Sequence, residues 1–225
     1  MQTRKETAWK KNRKFGDIKG GRRSLRFTDN IVARHHSIQR PAADCTLPIY
    51  KRDNPSRDFF FPLEIADIQR ELSLLPQTDW ETITHIWLRR FDKSDYESGE
   101  LPLAEFCCGS GVRVIILYPW PKNLLWNHGS TKPSQSRQKT LATYNAPLSQ
   151  QNADWVSDWH SARLKDFYLE YLLFHEIGHH LDWYTRHWSK ANRKQTEEIA
   201  NQYAYSRTTL RSVTFSDAEN VKYHD

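Results

Sequence analysis

Apolar positions along the chain switch between two periods, and the switches predict its elements. Phe59-Phe60-Phe61-Pro62 leads into a run in which Leu63, Ile65, Ile68, Leu72 and Leu75 recur at helical spacing. Pro62 suits the first turn of that helix and Pro76 stops it. Thr82 to Phe91 is β-branched and partly alternating, which predicts a strand. His85 within it reads as a packed, satisfied histidine rather than a ligand. Val112 to Tyr118 is the clearest strand, bounded by Gly109 and Gly111 before it and by Pro119 and Pro121 after it. Residues 127–152 are polar, with a short apolar interlude near Leu141 to Tyr144. They predict a long loop, or a loop carrying a small hairpin. From about Asp154 to about Trp188 the pattern is helical, and a second helix follows from about Asn192 to about Arg207. The end from Ser212 reads as frayed. Residues 27–58, punctuated by Pro41, Pro48 and Pro55, read as an irregular lead-in.

The long helical stretch contains His175-Glu176-Ile177-Gly178-His179. At about 100° per residue the two histidines lie about 40° apart, and Leu164, Tyr168, Tyr171 and Leu172 project within about 60° of the same direction. Phe174, Ile177 and Leu181 cover the opposite side, so the helix is expected to be buried on both faces. Two imidazoles one turn apart can hold zinc, and a carboxylate between them can take a proton from a metal-bound water. Glu176 projects about 60° from His179, which suits a general base that does not ligate. Gly178 costs about 1 kcal/mol of helix stability relative to Ala. Close backbone approach by a neighbouring strand or ligand would account for it.

A third ligand is required. Six residues after His179 stands Thr185, not histidine. His180 points about 100° away from His179 and His187 about 80° away, so neither shares its first shell easily. In the following helix, Glu197 shares a face with Ala200, Asn201 and Ala204, small residues that allow close packing. Glu198 points about 100° off, nearer Gln202 and Tyr205. Glu197 is therefore the expected ligand, and Asn201, one turn on, can hydrogen-bond a ligating imidazole and fix its tautomer.

H-E-I-G-H followed by E-E-I-A-N resembles the gluzincin zinc metallopeptidases, whose second motif has the form Glu-x-x-(Ser/Ala)-(Asp/Asn). Thermolysin-like enzymes and the smaller ImmA/IrrE-type peptidases are similar in this respect. The resemblance lies in the two helices. It implies Zn2+ held by His175, His179 and Glu197, with Glu176 as base in a zinc metalloendopeptidase acting on a protein or peptide substrate. It also implies an α+β fold, a single zincin-like domain over residues 59–210. In that fold a small, twisted, mostly antiparallel sheet packs on the active-site helix and a second, ligand-bearing helix. An edge strand, with Val112 to Tyr118 as the candidate, would align substrate by backbone pairing. Too little chain follows Glu197 for the helical second domain of the larger enzymes, so Tyr184, His187, Tyr203 and Arg207 are all candidates to stabilise an oxyanion.

Composition adds context. At 225 residues the chain has room for one sizeable core, and nine Trp, ten Tyr and ten Phe predict that it relies on large rings. Three Cys, with Cys107 and Cys108 adjacent, offer no disulfide framework. No apolar stretch approaches a membrane span and no apolar segment follows the charged N-terminus, so a cytoplasmic protein is expected. Residues 1–26 hold ten Lys or Arg against Glu6 and Asp17. This arm therefore carries +8, and since the whole chain is +6 the remaining 199 residues carry −2. Such an arm is expected to be disordered and solvating. The second reading is nucleic-acid contact through phosphate neutralisation, with Trp9 and Phe15 stacking on bases and the zinc fold kept for structure or binding. Residues 211–225 form a C-terminal tail.

Overall fold

In the computed structural model, which describes residues 38–92, 101–109, 111–183 and 190–220, helices and small sheets mix in an α+β arrangement. The basic arm lies outside the described residues. In chain order the elements are β1 (Ile49–Arg52), β2 (Phe59–Phe60), α1 (Ile65–Ser73), β3 (His85–Leu88), β4 (Ala104–Gly109), β5 (Val112–Leu117), β6 (Trp120–Pro121) and β7 (Leu125–Asn127). Then follow α2 (Gln135–Thr143), β8 (Leu148–Gln151), β9 (Asp154–Asp158), α3 (Ser161–Asp166), a π-helical segment (Phe167–Leu173), α4 (Phe174–Trp183) and α5 (Arg193–Asn220).

The main sheet has the order β1-β3-β5-β4. β1, β3 and β5 are mutually parallel and only β4 runs antiparallel, pairing Ala104 to Gly109 against Leu117 to Val112. The expected mostly antiparallel main sheet is thus corrected. Antiparallel pairing dominates only in the two small sheets, β2-β6 and β7-β9-β8. Alternation decides the faces: Ile86, Leu88, Cys108, Ile115 and Leu117 face the helices, while Trp87, Cys107, Val114 and Ile116 face a second core with Ile38, Phe91 and Tyr118. A sheet buried on both sides explains why Val112 to Tyr118 reads as a nearly continuous apolar run. It also sends Cys107 and Cys108 to opposite faces.

Rings fill the space between sheet and helix. Trp120 is fully buried, with ring centroids of Trp126 at 4.6 Å and Trp159 at 5.3 Å, and Phe167 and Tyr168 packed against it. The buried Tyr168 hydroxyl donates to the Tyr118 carbonyl at 2.7 Å, which joins the π segment to the end of β5.

Several boundaries differ from the pattern. α1 starts at Ile65 rather than at Pro62, because Glu64 and Asp67 form a reciprocal capping box in which the Glu64 amide donates to Asp67 at 2.9 Å. The expected strand over Thr82 to Phe91 shortens to His85–Leu88, and His85 is buried with Nδ1 2.9 Å from Thr84 Oγ1. The lead-in contains β1, an integral sheet strand. The polar 127–152 segment holds α2, capped where Ser134 Oγ accepts from the Arg137 amide, and β8. Asp154–Asp158 is a strand, not the start of the helix, because β7 and β8 bracket it. α5 runs on to Asn220, past the expected Arg207. Among the described residues no helix is long and apolar enough to cross a membrane.

Candidate metal centre

The histidines ride on α4, directly after the π segment. Leu164 and Tyr168 are fully buried, as the inward stripe predicts, and Tyr171 and Leu172, further along the π segment, line a cleft with His175.

α5 packs on α4 through small residues. Ala200 and Ala204 are fully buried, and a Cβ placed on Gly178 would lie 2.7 Å from the Ala200 Cα and 3.1 Å from its carbonyl oxygen. The neighbour that requires glycine is therefore the ligand-bearing helix, rather than a strand or a ligand. Further along, Tyr203 and Arg207 both donate to Asp79 Oδ2 at 2.7 Å, which pins α5 to the turn at Gln77–Asp79. These two oxyanion candidates are committed to that clamp and do not line the cleft. Tyr184 and His187 lie outside the described residues.

Close packing brings Glu197 Oε2 to 3.4 Å from His175 Nε2 and 3.8 Å from His179 Nε2. The three ligand atoms lie within 4.8 Å of one another and could hold a metal ion. Metal arms of about 2.0–2.1 Å in tetrahedral array separate ligand atoms by about 3.4 Å, so this spacing suits the donor set. Asn201 Oδ1 accepts from the Tyr171 hydroxyl at 2.8 Å and from His175 Nδ1 at 3.1 Å. A carbonyl oxygen only accepts, so Nδ1 directs a proton at Asn201, and Nε2 is the atom that would bind a metal. Hydrogen bonds from His175 and His179 hold the Glu197 carboxyl well below the usual carboxylate range, so it is ready as an anionic ligand.

Glu176 sits at the floor, only 5% exposed. Burial pushes its carboxyl up to about 8, opposed by the His175 charge and reinforced by Glu197 and Glu105, while a hydrogen bond with the Phe106 backbone on β4 lowers it. A positive charge at the ligand cluster would bring the group back toward neutral pH, where a proton acceptor is effective. Glu198 is exposed and outside the cluster. His180 is fully buried, with Nε2 3.1 Å from Thr82 Oγ1 and its ring edge-on to Phe106, so it too stays out.

The cleft above these groups has a volume of about 380 Å³. Its walls include Leu103 and Ala104 at the start of β4, Trp126 on β7, Arg137 on α2, and Tyr171. β4, not the expected Val112 to Tyr118, is the edge strand beside it; β5 is interior. Pattern reasoning treats Tyr171 only as an inward apolar position and does not single out Arg137. Tyr171 stands one turn before His175, which is a readable signal; Arg137 reaches the cleft from a remote helix and carries none.

Gly178→Ala is expected to destabilise the protein despite the better helix propensity of Ala. The propensity gain is about 1 kcal/mol. Overpacking against backbone that cannot rotate away costs about 1–3 kcal/mol. A lower denaturation midpoint, with weaker metal binding because Glu197 is carried on the displaced helix, checks this; a stabilised variant would contradict the close helix approach.

No family model matches this chain, and neither a curated protein nor a solved structure shows significant similarity to it.

Proposed function

We propose that the chain is a compact, gluzincin-like zinc peptidase with a zincin-like domain, working in the cytoplasm. The observation that carries this reading is the convergence of His175, His179 and Glu197 beside the buried Glu176 carboxyl, at the base of an open cleft. A two-histidine, one-glutamate donor set matches catalytic zinc sites that keep a position open. Zinc, when bound, supplies Lewis acidity toward a water and a peptide carbonyl.

The protein's own groups do the rest. Glu176 takes a proton from the attacking water and returns it to the leaving amine, a role that favours a buried carboxylate with a single backbone tether. Asn201 and Tyr171 hold the His175 ring in the tautomer that presents Nε2. β4 has no partner strand on its outer side among the described residues, so an extended peptide can add to it by main-chain pairing.

The test is metal content followed by hydrolysis. Purified protein supplied with zinc is expected to hold about one ion per chain and to cleave members of a mixed peptide library. Chelation should abolish cleavage and zinc should restore it. Protein that takes up no zinc at saturating supply would refute the reading.

A further inference from the structure

Arg137 differs from the paired guanidinium groups of this fold. Arg52, Arg89 and Arg207 face Glu64, Asp92 and Asp79 respectively. Among the described residues no carboxylate pairs with Arg137, although it lines the same cleft as Glu176 and Glu197. Those two acids are engaged elsewhere: Glu197 with His175 and His179, and Glu176 with the Phe106 backbone. The neighbouring groups that act electrostatically on Arg137 are the hydroxyls of Tyr171 and Tyr205, and burial lowers its pKa. A guanidinium stays charged throughout the working pH range. A charge withdrawn from water without a counter-charge is costly, and a ligand that brings the counter-charge removes that cost.

The residue is also held in place. Its amide donates to Ser134 Oγ at 3.3 Å at the start of α2, and Thr140, three residues on, lies 3.0 Å from the Tyr205 hydroxyl of α5. The helix that carries Arg137 is thus tied to the helix that carries Glu197. A planar fork on such a support matches a carboxylate with two parallel hydrogen bonds. The cleft, at about 380 Å³, is near the small end of ligand pockets, so a carboxylate on Arg137 lies close to the reacting bond.

We infer that Arg137 is the specificity-determining residue of this cleft and selects peptides with a carboxylate next to the bond to be cut. The carboxylate comes either from the peptide C-terminus or from an Asp or Glu side chain. The inference rests on the peptidase reading for the meaning of that bond, but carboxylate binding can be measured without hydrolysis.

The experiment compares N-acetyl-leucine, N-acetyl-leucinamide and N-acetyl-glutamic acid α-amide by equilibrium titration of the protein as purified, before and after metal removal. Wild type is expected to favour one of the two acids over the leucinamide by about tenfold or more, the scale of one charge-assisted hydrogen bond. Preference for N-acetyl-leucine assigns the C-terminus, and preference for the glutamate amide assigns a side chain. Arg137→Ala should erase the preference and Arg137→Lys restore part of it. With zinc-loaded protein and a peptide of the favoured class, Arg137→Ala should raise KM and leave kcat nearly unchanged. Equal binding of acids and amide by wild type overturns the inference. So does a fall in kcat at constant KM, which would instead place Arg137 on the oxyanion of the transition state. If the peptidase reading fails, zinc and hydrolysis are absent while the Arg137-dependent acid preference persists, so the two failures are separable.

Discussion

Glu176→Gln is expected to keep zinc and lose hydrolysis, with kcat/KM falling by about 10²–10⁴. The exchange is nearly isosteric at a site that is only 5% exposed, so packing changes little. An amide oxygen can still accept from the Phe106 backbone, so the tether at the cleft floor survives. What disappears is the ability to take a proton from water and hand it on. Glu176 does not belong to the ligand cluster, so metal stoichiometry should not move. Paired metal analysis and peptide kinetics check this. Full activity in the Gln variant would remove Glu176 from the mechanism.

His175→Ala and Glu197→Ala are expected to lose zinc altogether at ordinary metal concentrations. Loss of an outer hydrogen-bond partner of a ligand costs about 10–100-fold in affinity, and loss of a ligand itself costs more. Asn201→Ala, which frees the His175 ring but leaves every ligand in place, should fall in that smaller range. The helix pair does not depend on the metal for contact. Gly178 against Ala200 and the Asp79 clamp on Tyr203 and Arg207 hold it, so the variants should stay folded by circular dichroism. Glu198→Ala is the control: it changes an exposed neighbour outside the cluster and should leave zinc binding intact. Equal losses in Glu197→Ala and Glu198→Ala would show that the effect is not ligation.

Features whose signal is local were legible along the chain. α1 followed from five apolar residues at helical spacing and a proline stop, and β5 from a dense apolar run between glycines and prolines. Glu197 was separable from Glu198 because angular projection holds within one unbroken α-helix and small residues marked its packed face. Asn201 followed from the same face. The inward stripe before the histidines was legible too: Leu164 and Tyr168 belong to the core, although the chain passes through a seven-residue π segment there.

By itself the sequence determined which residues have the chemistry: two histidines one turn apart, a carboxylate between them, and a glutamate on a small-residue face. Tertiary structure decided which of them meet. Strand order, the parallel run of β1, β3 and β5, and the edge position of β4 come from hydrogen bonds between segments far apart in the chain, and no local period encodes the partner. Arg137 is the clearest case. Its place in the cleft depends on a Ser134 cap and the docking of α2 on α5, neither of which can be read from its own neighbours in sequence.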